Sequence, residues 1–283
     1  MDWAKDGPTW PNQDSSRFVD ARPHRWHVQV AGEGSDLLLL HGAGGATQSW
    51  RGLFPLLRPK YRVIAPDLPG QGFSKLSSRT RAGLRAMTED LGTLLDQERW
   101  APKIIVGHSA GAVLGLNLAL ERDVGAVIGL NAALAPFDGV AGWLFPVLAK
   151  LLALNPFVPA MFARAAGTER GAERLIASTG STLDPLGLAL YRRLLADPAH
   201  VDGALAMMAA WNIDHLMTRL GAIGGRVLLL TGDADLTVPP SVSVDVATAY
   251  PQIVHESLPG LGHLAHEEAP ETVAAAIERF LAA

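Results

Sequence analysis

A run of β-branched residues, Ile104-Ile105-Val106, meets Gly107-His108-Ser109-Ala110-Gly111 and passes at once into the apolar stretch Ala112–Leu120. A buried strand joined to a helix through so few residues must turn sharply, and that turn dictates how the chain can fold around it. It strains the backbone at Ser109, and a Cβ at position 107 or 111 would collide with the adjoining strand or helix. Ala112 and Gly115 keep the helix face small, so it can lie close on a sheet. Ser109 is then left at the strand's end beside the positive N-terminus of the helix. Strand, Gly-x-Ser-x-Gly and helix in this order have the form of a nucleophile elbow, whereas the five residues alone could also make a plain corner.

A serine hydroxyl attacks only when a base takes its proton, and the base needs an orienting partner. Both follow in the chain, in the order Ser, Asp, His. Arg226–Thr231 reads as another buried strand, ending in Gly232-Asp233-Ala234-Asp235. A carboxylate just past such a strand end lies on the face where open α/β sheets place their sites. Asp235 is preferred to Asp233, which directly follows the turn glycine and is expected to brace the loop. The preceding strand, Ala126–Leu130, ends in Asn131, which cannot ionise. His263, in the glycine-rich Leu258-Pro259-Gly260-Leu261-Gly262-His263, is the expected base. His266 is its rival, read as a capping or exposed histidine where the last helix begins; His41 and His108 are read as loop-stabilising partners.

A third buried strand, Asp36–Leu40, runs into His41-Gly42-Ala43-Gly44-Gly45. Acyl transfer builds negative charge on an oxygen, and preorganised N–H groups must meet it. The amides of Ala110 and Ala43 are the expected donors, with Gly44 the alternative to Ala43. The loop has neither the Gly-Lys-Ser/Thr nor the Gly-x-Gly-x-x-Gly of phosphate loops.

The 283 residues allow one large domain or a core with an inserted lid, and a 48% hydrophobic content supplies a substantial interior. A net charge of −4 without basic runs argues against nucleic acid. No cysteine is present, so thiolate nucleophiles and disulfides are excluded. The first residues lack the layout of a signal peptide, and a cytoplasmic protein is expected. Arg17–Asp20 and Arg25–Ala31 read as a hairpin-like start, and Tyr61–Ala65 as a further strand. Strands alternating with helices such as 82–98 predict an α/β, mostly parallel, doubly wound sheet.

Between Leu134 and about Leu220 the alternation stops, and a helical cap is expected there, inserted after the sixth core strand. The expected division is a core of 1–134 and 221–283 with a cap of 135–220. Residues 140–163 carry one charge, Lys150, but Pro146, Pro156 and Pro159 interrupt the run, so no transmembrane segment is predicted. Cap core, or a lid offering apolar surface to a large ligand or a membrane interface, are the two readings. Trp143, Met207, Met208 and Trp211 are candidate substrate-binding residues, though Met and Trp at helical spacing are also ordinary core. His200, Asp202, Asp214 and His215 fit no defensible metal spacing; no metal and no cofactor are predicted.

These residues resemble the α/β-hydrolase superfamily along essentially the whole chain. Within it, several segments resemble the magnesium-chelatase accessory proteins of bacteriochlorophyll biosynthesis: Met1-Asp2-Trp3, Thr9-Trp10-Pro11-Asn12, Ser16–Val19, Arg25–Gln29, Gly107–Gly111, Leu130–Leu134, His200–Trp211 and Gly262–Glu268. The resemblance implies a protein acting near magnesium insertion into protoporphyrin in a photosynthetic bacterium, with a small apolar or tetrapyrrole-type ligand and a magnesium chelatase subunit as candidate partners. Nothing in the chain resembles a chelatase motor, since it has no Walker motif and no acidic metal-binding run. The expected activity is a serine hydrolase acting on an ester or related acyl bond. The alternative is a non-catalytic accessory protein that binds or hands over a porphyrin. Haloalkane dehalogenase and epoxide hydrolase chemistry are disfavoured, because both use a carboxylate nucleophile where this chain has Ser109.

Overall fold

The computed structural model describes residues 1–135 and 157–283. Eight strands form one sheet in the order β1-β2-β4-β3-β5-β6-β7-β8. They are β1 (Ser16–Ala21), β2 (His24–Ala31), β3 (Asp36–Leu40), β4 (Arg62–Pro66), β5 (Ile104–His108), β6 (Ala126–Leu130), β7 (Arg226–Gly232) and β8 (Ile253–Leu258). The opening hairpin is antiparallel, as is the β2–β4 pairing, and every later neighbour is parallel.

Side chains alternate across a strand, so the all-apolar run of β3 supplies two cores at once. Leu38 and Leu40 pack with residues of α3 (Leu84–Glu98) and α4 (Ala110–Ala119). Leu37 and Leu39 face the opposite way, toward α2 (Leu53–Leu57) and the last helix, Pro270–Ala282. Helix α3 begins two residues later than the pattern suggested, because Gly83 is extended (ψ 160°) and serves as its N-cap.

Between β6 and β7 the described residues hold α5 (Val158–Ala166), α6 (Glu169–Ala177), α7 (Pro185–Leu195), α8 (Pro198–Ala210) and the short α9 (Asp214–Met217). A third apolar cluster joins this insertion to the loops beyond the strand ends: Ile176, Leu183, Leu190 and Leu194 meet Ala46, Phe73 and Leu264. Trp10 belongs to the same cluster, so the N-terminal segment packs on the insertion as well. No helix among the described residues is long and apolar enough to cross a membrane.

Candidate active site

The turn after β5 has the strain its sequence implies. Ser109 is held at φ 51°, ψ −116°, a region a non-glycine residue occupies only when its surroundings compel it. Gly107 compels it from one side, since a Cβ there would lie 2.5 Å from the Ala112 backbone nitrogen. Gly111 does so from the other, where a Cβ would overlap the carbonyl oxygens of Leu40 and His41 at the end of β3. Helix and neighbouring strand thus close on the turn, and Ser109 is left at its apex.

Asp235 and His263 come together from loops 28 residues apart, with His263 Nδ1 and Asp235 Oδ2 at 2.7 Å. The other carboxylate oxygen accepts the amides of Thr237 and Val238 at 2.7 and 2.9 Å, which fixes the carboxyl plane. Asp233 does something else: it accepts the Gly260 amide at 2.7 Å and braces the loop. Among the described residues no hydrogen bond joins Ser109 Oγ to His263. Hydrogen bonds of this kind are often loose in a protein without its ligand and tighten around substrate.

The loop carrying His263 is held in place by its backbone. His263 carbonyl accepts His108 Nε2–H at 2.9 Å and Asn131 Nδ2–H at 2.7 Å, and the same Asn131 amide reaches the Gly262 carbonyl at 2.8 Å. Asn131 Oδ1 accepts the Gly232 amide at 2.7 Å, so one side chain links the ends of β6 and β7 to the loop carrying His263. From the insertion, the Thr179 carbonyl accepts the amides of both Leu236 and His263 at 3.2 Å, joining the loops that carry Asp235 and His263.

Three imidazoles pack together here at tilted angles. The His108 ring lies 4.7 Å from that of His263 and 4.5 Å from that of His266, which in turn lies 4.7 Å from Trp50. His266 is therefore fully buried, not the capping or exposed residue expected from its place before a helix. Burial, reinforced by the neighbouring histidine charges, drives the His108 imidazole well below its usual range. Burial and then His263 take His266 down to about 3. Both flanking rings are thus neutral, and only His263 of the three has a carboxylate partner.

The loop after β3 runs beside the elbow. A Cβ on Gly42 would lie 2.8 Å from His108 Nδ1 and 3.1 Å from Ser109 Cβ. Among the described residues neither the Ala43 nor the Ala110 amide donates to a protein acceptor. The Gly44 amide is already engaged by Gln71 Oε1 at 2.6 Å. Asp67 anchors the surrounding loops by accepting the Thr47 and Phe73 amides and pairing with His27 at 2.7 Å. Although burial alone would raise it, its two histidine neighbours and those bonds hold the carboxyl below the usual carboxylate range.

Of the other candidates, Met207 is fully buried in the α3–α4 core, where its sulfur meets Gln71 Nε2 at 3.3 Å. Trp211 packs half-buried against the same core, and Met208 is half-buried. Trp143 lies outside the described residues. The sequence reading passed over Asn131 as a position that cannot ionise, and it gave Gln71 no role. Both act through neutral amide side chains on distant backbone, for which a linear sequence holds no local signal.

The description "alpha/beta hydrolase fold" matches residues 37–270 of this chain. The magnesium-chelatase 30 kDa subunit of Rhodobacter capsulatus is 40% identical over 274 residues, covering 96% of each chain. Haloalkane dehalogenase 2 of Mycobacterium tuberculosis (strain ATCC 25618 / H37Rv) is 28% identical over 99% of each. Among solved structures, an alpha/beta hydrolase fold protein from Burkholderia ambifaria superposes with a TM-score of 0.75 at 22% identity, covering 93% of this chain and 98% of that one. The sheet order, the strained serine between β5 and α4 and these likenesses give one conclusion: the chain belongs to the alpha/beta hydrolase fold family.

Proposed function

We propose that the protein is a serine hydrolase cleaving an ester or related acyl bond. The observation that supports this is the 2.7 Å contact between Asp235 and His263, whose carbonyl is hydrogen-bonded to His108 beside the strained Ser109 turn. Ser109 Oγ attacks the carbonyl carbon while His263 takes its proton, and Asp235 orients the imidazole and stabilises its cation. The unpartnered amides of Ala43 and Ala110 receive the oxyanion; one such donor contributes about 10²–10³ in rate. As the carbon–oxygen bond to the leaving group breaks, His263 returns the proton to the departing alcohol. Water, deprotonated by the same imidazole, then attacks the acyl-serine and releases the acid.

Displacement at an alkyl halide or epoxide by Ser109 would leave an alkyl ether, which water does not cleave under these conditions. The likeness to a haloalkane dehalogenase therefore supports the fold and not that reaction. The candidate ligand is small and apolar or tetrapyrrole-like, and the setting is cytoplasmic; no metal or cofactor takes part in these steps.

A fluorophosphonate probe tests the proposal. Folded wild-type protein is expected to label, and Ser109→Ala not to. A folded wild type that stays unlabelled, or a variant that labels equally, ends it.

The likeness to the Rhodobacter capsulatus chelatase subunit favours a second reading, an accessory protein that holds or hands over a porphyrin near magnesium chelatase. Complementation separates the two. If Ser109→Ala and His263→Ala both restore pigment to a strain lacking the protein, the binding role stands and the hydrolytic one does not.

A further inference from the structure

His200 lies in the first turn of α8, where its backbone amide donates to the N-cap Asp197 at 2.9 Å. Its side chain leaves the insertion and enters the loops beneath. Nδ1 accepts the Gly72 amide at 3.0 Å, and Nε2 lies 3.1 Å from the Gly44 carbonyl oxygen. One neutral tautomer satisfies both, with the proton on Nε2 and the lone pair on Nδ1.

Gly44 is therefore gripped at both ends: its N–H by Gln71 and its C=O by His200. The segment Gly42-Ala43-Gly44-Gly45 is also closed by the Gly45 amide on the Gly42 carbonyl at 3.1 Å, which His41 Nδ1 meets at 2.8 Å, but neither bond engages the N–H or C=O of Ala43 or Gly44, so the grip on Gly44 matters. Gly44 sits at φ +80°, with no atom within 4 Å of where its Cβ would be, so conformational freedom rather than crowding explains the glycine there. Fixing the two peptide planes that follow Ala43 limits where the Ala43 amide can point. Helix α8 can bring His200 this close because glycine meets glycine: a Cβ on Gly203 would lie 2.5 Å from the Gly70 carbonyl carbon.

We propose that His200 is a positioning residue through which the seated α8 helix locks the loop carrying the Ala43 oxyanion donor. This rests on the hydrolase reading above. It makes the hole a joint product of core and insertion, so that a displaced α8 leaves the loop free and the donor unaimed.

Two substitutions and one measurement on the unaltered protein test it. His200→Phe fills the space without either hydrogen bond, whereas the Gln of His200→Gln offers one acceptor and one donor at similar separation. For His200→Phe, kcat on a p-nitrophenyl ester is expected to fall about 10–100-fold with KM changed less than about twofold, the signature of an interaction made in the transition state. Amide exchange at 42–46 and 71–73 should rise at least about tenfold while exchange in β3 and β5 is unchanged. His200→Gln should recover kcat to within about threefold. In wild-type protein, nitrogen-15 NMR should find His200 protonated at Nε2 and bare at Nδ1.

A proton on Nδ1, or unchanged kcat and exchange in a folded His200→Phe, overturns the proposal. An unfolded His200→Phe leaves the tautomer and the His200→Gln rate to decide. If wild type neither labels nor hydrolyses, the hydrolase reading fails on its own, and exchange together with the tautomer still decides whether His200 holds the loop.

Discussion

Asn131 and His263, 132 residues apart, are joined by a 2.7 Å hydrogen bond from the asparagine amide to the histidine's carbonyl oxygen. The same amide bonds the Gly262 carbonyl, and the side-chain oxygen takes the Gly232 amide. Asn131 also holds a left-handed conformation, φ 46°, that asparagine tolerates better than most residues. Replacing it with alanine leaves buried backbone groups without partners, at about 1–3 kcal/mol for each such group. Asn131→Ala is expected to lose about 2–4 kcal/mol in urea unfolding and to slow probe labelling of Ser109.

Asn131→Asp tests the same geometry by charge. A carboxylate placed there would face two carbonyl oxygens where an amide donor now sits, so it cannot settle as an alternative orienting acid. The double variant Asn131→Asp/Asp235→Ala should hydrolyse p-nitrophenyl esters no faster than Asp235→Ala alone. A double variant recovering even about tenfold would mean that the base loop can re-form around position 131.

Glu267 gives the stability a dependence on the alkaline side. Burial pushes its carboxyl up to about 8, against the pull of the Tyr191 hydroxyl, which donates to Oε1 at 2.6 Å. Between the usual value of 4.5 and about 8 the folded protein holds a proton that the unfolded chain has released. The contribution of Glu267 is therefore whole below 4.5 and is lost as pH rises through 8, at up to about 1.4 kcal/mol per pH unit. Glu267→Gln keeps an acceptor for Tyr191 and does not titrate. Its unfolding free energy should decline less than that of wild type between pH 5 and 8.

His266 and His200 act on the acid side. Burial holds them at about 3 and about 4, so both are neutral when folded and charge readily when unfolded, near 6.5. Each contributes stability that is whole above 6.5 and is lost as pH falls toward its folded value. His266→Phe retains a ring between His108 and Trp50 without a site to protonate. The slope of its unfolding free energy between pH 4 and 6 should be lower than that of wild type by about one proton.

The turn at Ser109 stores strain, and backbone held in such a region costs about 1–3 kcal/mol. Glycine adopts a positive φ without that cost. Ser109→Gly should unfold at higher urea than Ser109→Ala, by about 1 kcal/mol, and neither should label with a fluorophosphonate. Equal stability of the two variants would mean that the turn relaxes in the unreacted protein.

The doubly wound sheet and the sharp turn at Ser109 were legible in the residues because their sequence signals are short and contiguous. The unbroken apolar run in Asp36–Leu40 reports two-sided burial within five residues, and the collision that requires Gly107 arises from the helix just after the turn, whereas the one that requires Gly111 comes from the end of β3. Asp235 could be preferred to Asp233 from its place past a strand end, but the bond to His263 exists only once β7 and β8 pair and their loops converge. The contact of buried His266 with Ser49, the reach of Asn131 to His263 and the grip of His200 on Gly44 span 217, 132 and 156 positions. No periodicity encodes such contacts. A polar side chain's partner is chosen by which unpaired backbone groups packing has buried next to it, and only the folded chain brings those groups together.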